Sequence, residues 1–180
     1  LTIEKLISEC KKNNPKAQES LFVKYKQALF NLCLKYAKNQ AEAEDILQDT
    51  FLTIFKKIKT YKGQGSFEGW MKRIAINKSI DRYKKDLFVF TDIKEEITDD
   101  TAIDQNEVLG MSLDTILGFV QALPSKYRLT FNMYELDDYS HKEIAKILSI
   151  SEGTSKSNLH RAKVMLKEMI MNNKESKTVR

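Results

Sequence analysis

The stretch from His141 to Lys163, HKEIAKILSISEGTSKSNLHRAK, constrains the fold more than any other part of the chain. It reads as two short helices joined by a tight turn, the layout of a helix-turn-helix. Ser140 and Glu143 form an S-x-x-E capping box that suits the start of the first helix, and Ile144, Ala145 and Leu148 give that helix one apolar face. The break falls at Ser149, Ile150 and Ser151, and Gly153 precedes Thr154, where the second helix is expected to begin. From Ser155 onward, Leu159, Ala162, Leu166 and Met169 recur at three- and four-residue steps and stack on one face. Lys156, Ser157, His160 and Arg161 point the other way. A short cationic face of this kind fits a DNA major groove, where Arg or Lys bonds guanine and Ser or Asn bonds base edges or phosphate. The same residues also suit a helical hairpin whose basic face is simply solvated.

Few helix breakers interrupt the rest: six glycines and two prolines in 180 residues argue for long helices over sandwiches or barrels. The expected fold class is all-α, with two helical domains joined by a flexible acidic linker. Charge draws the boundary. Between Asp86 and Glu107 eight acids face a single base, Lys94, so a chain with a formal charge of +5 leaves +12 for the two flanking segments. Two basic domains on an acidic strap suggest a polyanion contacted at two places.

The expected divisions are a helical bundle over 1–86, a linker over 87–109, the helix-turn-helix domain over 110–173 and a tail over 174–180. In the first domain, a short helix around Ile3–Lys11 precedes one that starts at Pro15 and runs to about Asn39, with Leu21, Tyr25, Leu29, Leu32 and Tyr36 on one face. A third runs from Ala41 to about Lys59 and buries Leu47, Phe51, Ile54 and Ile58. The glycine-rich stretch Gly63–Gly69 reads as a loop, and a fourth helix follows from Trp70 to about Lys85. The second domain is read as helices over 111–123, 126–136, 140–148 and 154–171.

Cys10 and Cys33 stand far apart with no C-x-x-C, and His141 and His160 are isolated, so no disulfide framework, metal or cofactor is expected. No apolar run approaches the roughly 18 residues of a membrane helix, and no signal peptide opens the chain. Both point to a cytoplasmic protein. No nucleotide-binding loop or nucleophile constellation supports an enzyme, and no small-molecule substrate is expected.

Two further patterns carry chemistry. On the third helix Asp45, Gln48, Asp49 and Leu52 share one quadrant of the wheel, opposite the apolar stripe. Such a stripe is either a docking patch or plain solvated surface. The fourth helix has apolar residues on two sides, with Phe67, Trp70, Met71 and Ile74 on one and Ile76, Ile80 and Tyr83 on the other. Arg73, Asn77 and Lys84 run between these faces on one strip, and Lys78 and Arg82 on another. Residues 71–85 hold six bases against one acid. Cations interleaved with aromatic rings suit single-stranded DNA, whose phosphates need positive charge and whose unstacked bases need flat partners. Trp70 also reads as a core anchor.

Together the segments EDILQDTF (44–51), GSFEGWMKRIAINKSIDRYKK (65–85) and ISEGTSKSNLHRAK (150–163) resemble regions 2 and 4 of the extracytoplasmic-function (ECF) sigma factors of bacterial RNA polymerase. The resemblance spans almost the whole chain except the linker. It implies a non-catalytic initiation factor that binds core RNA polymerase and promoter DNA, duplex at the minus-35 element and melted at the minus-10 element, with an anti-sigma factor as a further partner. By the same resemblance, Asp45, Gln48, Asp49 and Leu52 dock on the polymerase, with Phe51 in the core. The loop from Lys62 to Gly69, including Ser66 and Phe67, captures with Asn77 a base flipped from the non-template strand. Arg73, Lys78, Arg82, Lys84 and Lys85 hold the adjoining minus-10 DNA, and Lys156, Ser157, Asn158, His160 and Arg161 read the minus-35 element.

A linker of about 22 residues reaches roughly 70 Å, enough for the roughly 50 Å between the two elements. Two positions depart from the family pattern. Ser155 stands where an apolar residue, commonly Val, begins the buried stripe, so that either its hydroxyl bonds the backbone one turn earlier or the helix sits slightly differently. Asn158 stands where Arg is frequent. The alternatives are a stand-alone helix-turn-helix regulator, which would bind its promoter tightly by itself, and a helical adaptor, which would show little salt-dependent DNA affinity.

Overall fold

The structure is a computed structural model, and it describes residues 2–87 and 111–178. Most of the acidic linker expected over 87–109 lies outside the described residues. The chain forms two compact units, Leu1–Lys85 and Asp86–Arg180. Among the described residues the regular structure is entirely helical, as the scarcity of breakers predicts.

The first unit holds α1 (Ile3–Lys11), α2 (Pro15–Tyr36), α3 (Gln40–Lys57), a 3-10 turn (Ile58–Thr60) and α4 (Phe67–Leu87). Asn14 caps α2, its side chain accepting from the amides of Lys16 and Ala17, and Pro15 sits where its missing N–H costs nothing. The sequence suggests that α2 runs to Asn39, but it stops at Tyr36, because Asn39 turns extended and caps α3 by accepting from Glu42 N at 2.9 Å. Leu21, Leu29, Leu32, Cys33 and Tyr36 of α2 are buried, as are Ile46, Phe51 and Ile54 of α3. Phe22 and Phe51 pack with ring centroids 4.7 Å apart. Both cysteines are free and buried, and burial pushes the Cys33 thiol up to about 12, which keeps it protonated and unreactive.

The second unit holds α5 (Leu113–Ala122), α6 (Ser125–Phe131), a π-helical turn (Asn132–Leu136), α7 (His141–Leu148) and α8 (Glu152–Thr178). The sequence reads 126–136 as one regular helix, whereas its last turn widens to π. It also leaves 174–180 as a tail, whereas α8 continues to Thr178. Val120, Leu123, Ala162 and Leu166 form a buried cluster, with Phe119, Tyr127, Phe131, Met165 and Met169 packed against it. Arg128 is buried too. Its guanidinium donates to the carbonyls of Gln121 at 2.8 Å and Leu123 at 2.7 Å, satisfying acceptors that the end of α5 leaves open.

Ile54 is fully buried on α3, while Leu52 two residues away is 62% exposed. Ile54→Ala is expected to cost about 2–5 kcal/mol of stability through transfer and cavity terms, and Leu52→Ala less than about 0.5 kcal/mol. Urea unfolding of the two variants measures the difference.

Candidate functional site

Two faces, one in each unit, gather the residues with chemistry to offer. In the first unit, α4 begins three residues earlier than the glycines suggest. Ser66 starts it by accepting from Gly69 N at 3.0 Å, and Trp70 N bonds the Ser66 carbonyl at 3.1 Å, so Gly69 lies inside the first turn. The loop proper is therefore Lys62–Ser66. Gly63 and Gly65 adopt left-handed φ of 78° and 77°, which a residue with a side chain takes only with strain.

Phe67, expected in the DNA site, is instead buried. It stacks on Trp70 at 5.4 Å and meets Tyr61 and Tyr25 edge-on at 5.0 and 6.3 Å. An aromatic residue at the first turn of a helix over a core fills that core before it can face solvent. It shapes the floor under the loop.

Along α4 the buried residues Phe67, Met71, Ile74, Ala75, Ile76, Ser79 and Ile80 occupy both sides that the sequence marks as apolar. At roughly 100° per residue the open strip is narrow and carries Arg73, Asn77, Asp81 and Lys84. Arg73 and Asn77 are exposed and Lys84 is half-buried. Asp81 was not singled out by the sequence reading, yet it shares the strip and tempers its charge. Lys78 and Arg82 are half-buried and Lys85 is exposed.

The α3 stripe stands open: Asp45, Gln48, Asp49 and Leu52 are all exposed. One of its members is engaged. Asp45 Oδ2 accepts from Arg82 Nη2 at 2.9 Å, and Glu42 Oε1 lies 3.9 Å from Arg82 Nε. The residues expected to dock on a protein and those expected to hold DNA thus meet in one ion pair. No sequence pattern signals this contact between positions 37 residues apart.

In the second unit the capping box is present in full: Ser140 Oγ accepts from Glu143 N at 3.3 Å, and Glu143 Oε2 accepts from Ser140 N at 2.8 Å. The bonds from the Ser140 side chain and backbone hold the Glu143 carboxyl below the usual range. After α7, Ser149 turns left-handed at φ 59° and ψ 44°, and Ile150 N bonds the Ala145 carbonyl at 3.0 Å. The next helix starts at Glu152 rather than Thr154. Ser151 is the reason, its hydroxyl accepting from Thr154 N at 2.9 Å.

That earlier start puts Gly153 and Thr154 on the open face with Lys156, Ser157, His160 and Arg161, two positions the sequence reading missed. Lys156 is exposed, and Ser157, His160 and Arg161 are half-buried. Asn158, expected to read DNA, is only 8% exposed, because it shares the inner arc of the helix with Ser155, Leu159 and Ala162.

The Ser155 hydroxyl takes a side-chain partner. The residue is fully buried, and its hydroxyl lies 2.9 Å from His141 Nδ1 instead of bonding the backbone a turn earlier. The His141 ring in turn stacks on Tyr134, centroids 4.3 Å apart and planes within 20°. Three elements, the π turn, α7 and α8, are joined through one imidazole.

Both units resemble known proteins. Sigma-70 region 2 matches residues 21–87, and Sigma-70, region 4, matches residues 107–166. The ECF RNA polymerase sigma factor SigW of Bacillus subtilis (strain 168) is 30% identical over 182 residues, spanning 94% of this chain and 97% of that one. This chain belongs to the ECF family of sigma-70 factors. The ECF RNA polymerase sigma-E factor of Escherichia coli (strain K12) is 25% identical over 179 residues, covering 91% of each chain. Among solved structures, the sigma factor RpoE in complex with the anti-sigma factor NepR from Bartonella quintana shares the fold, with a TM-score of 0.53 at 19% identity over 85% of this chain and 96% of that one. The whole-length match favours a sigma factor over a free-standing regulator. Among the described residues of this ECF factor no helix is long and apolar enough to cross a membrane, and no His, Cys, Asp and Glu cluster could hold a metal ion.

Burial, with the positive charge of Lys156 second, holds the His141 imidazolium pKa below its ordinary 6.5. The folded factor therefore favours neutral His141, so stability is full above the unfolded value and falls as pH drops from there through the folded value. Unfolding midpoints of the second unit should decline below about pH 6.5, and His141→Gln should flatten that decline. Urea titrations between pH 8 and 5, with NMR titration of His141, check it.

Proposed function

We propose that this ECF factor binds core RNA polymerase, directs it to promoters and assists DNA melting at initiation, without catalysing a reaction itself. The observation that carries the proposal is the presence of both regions, in order, in a chain that matches SigW along nearly its full length. The exposed residues of the two faces support it. Asp45, Gln48, Asp49 and the exposed apolar Leu52 offer a protein partner both polar and hydrophobic contact. On the DNA side the loop Lys62–Ser66 and Asn77 capture a base flipped from the melted minus-10 strand. The pocket offsets the few kcal/mol of unstacking that flipping costs. Arg73 and Lys84 hold that strand along the open strip of α4, Lys78, Arg82 and Lys85 hold the adjoining backbone, and Phe67 supports from beneath.

The Asp45–Arg82 pair links the two tasks. Both side chains are partly exposed, so the bridge contributes at most about 1 kcal/mol. Polymerase contacts to Asp45 or phosphate contacts to Arg82 can replace it. In the second unit Lys156, Ser157, His160 and Arg161 read the minus-35 duplex, joined by the backbone at Gly153 and the hydroxyl of Thr154, while Asn158 is buried away from it. An anti-sigma protein is the expected regulator, since the similar RpoE was solved bound to one. The factor works in the cytoplasm, where polymerase and chromosome meet.

Genome-wide run-off transcription with purified core polymerase tests the proposal: discrete start sites that appear only with the factor support it, and none overturns it. In the same system Asp45→Ala with Gln48→Ala should weaken core association without altering urea unfolding, and unchanged association removes the docking role. Arg161→Ala should cost about 1–3 kcal/mol on preferred minus-35 sequences if it reads a base. Fluorescence anisotropy of the holoenzyme on matched and scrambled duplexes separates that from an equal loss on both, the mark of a phosphate contact.

A further inference from the structure

The loop Lys62–Ser66 projects two left-handed glycines into open space, where a Cβ on Gly63 or Gly65 would touch nothing within 4 Å. Glycine leaves such a backbone many accessible conformations, and a pocket that must be ordered on binding takes a flipped base more weakly. One residue counters this. Tyr61, at the root of the loop, is secured through each of its polar groups and its ring. Its N–H bonds the Ile58 carbonyl at 3.2 Å, and its hydroxyl donates to the Gly65 carbonyl at 2.8 Å, spanning the loop. The ring packs on Phe67 at 5.0 Å and Trp70 at 5.4 Å.

The Tyr61 carbonyl accepts from Lys11 Nζ at 2.8 Å, and that ammonium lies 6.0 Å from the Tyr61 ring centroid. Lys11 ends α1, fifty residues upstream. It also precedes the matched sigma-70 region 2, which begins at residue 21, so the family match assigns it no role. That bond ties the end of α1 to the root of the loop.

We infer that Lys11 and Tyr61 are positioning residues: α1 buttresses Tyr61 through Lys11, and the Tyr61 hydroxyl holds the loop in its base-receiving shape. The inference rests on the base-capture role proposed for the loop. Neither residue need touch the base through its polar group. Tyr61 acts through Gly65, and Lys11 acts through Tyr61. Removing either polar group leaves the aromatic packing intact but lets the loop sample other shapes, so capture falls while polymerase docking on α3 does not.

The test uses the full-length factor with core polymerase and a promoter fork from the strongest mapped start site, with 2-aminopurine replacing successive unpaired minus-10 bases. Tyr61→Phe and Lys11→Met should each weaken capture by about two- to tenfold, the value of one hydrogen bond. Affinity for core polymerase should stay unchanged, and Lys11→Arg, which keeps a donor, should restore capture. Capture equal to that of the unaltered factor in both variants overturns the inference, and so does a parallel fall in polymerase affinity, which marks general damage to the fold. If only Tyr61→Phe falls, the buttress from α1 is overturned. Asn77→Ala separates the underlying proposal: if neither it nor the unaltered factor shows a base-capture signal, the loop is not a base pocket and this inference falls with it.

Discussion

Burial of α4 on two sides is the constraint on which the first unit depends. Met71, Ile74 and Ala75 point one way and Ile76 and Ile80 another, and all five are buried. Each large apolar side chain contributes about 1.5–3 kcal/mol, whereas a partly exposed ion pair such as Asp45–Arg82 contributes at most about 1 kcal/mol. The apolar residues therefore set how the helix is rotated, and the cations take the positions left over. Those positions form a narrow strip, which is why Arg73, Asn77 and Lys84 converge instead of encircling the helix.

The second unit uses a polar contact inside its core. The first buried position of α8 would ordinarily hold an apolar side chain, and here Ser155 occupies it. A buried hydroxyl needs a partner, and His141 supplies one at 2.9 Å while stacking on Tyr134. The angle at which α8 leaves the turn is consequently tied to the π turn through a polar contact rather than through packing alone. Neutral His141 suits that role, because the surroundings that bury the ring disfavour its charged form.

Much of this was legible in the residues. The capping box at Ser140 and Glu143, the turn at Ser149–Ser151, the two-sided α4 and the exposed α3 stripe all follow from local chemistry or helical period, and they appear as expected. Boundaries were less legible where a cap competes with a glycine. Ser66 and Ser151 each start a helix before a glycine that reads as a breaker, because one side-chain bond to an open amide outweighs the modest cost of glycine in a first turn. Motif position marks Phe67 and Asn158 as ligand contacts, yet both are buried. Motif position says which residues lie near a site, while the helix phase against the core decides which of them face it.

The amino-acid order by itself determined that this chain is helical, that it has a basic region on either side of an acidic segment, and which helix faces are apolar, because propensity, capping and periodicity act within a few residues. Tertiary structure alone decided that Asp45 holds Arg82, that Ser155 meets His141, and that Lys11 reaches Tyr61. Those pairs are 37, 14 and 50 residues apart. No local rule pairs them. They are brought together only when the apolar faces pack, and each polar partner is then set by whichever group that packing leaves within reach.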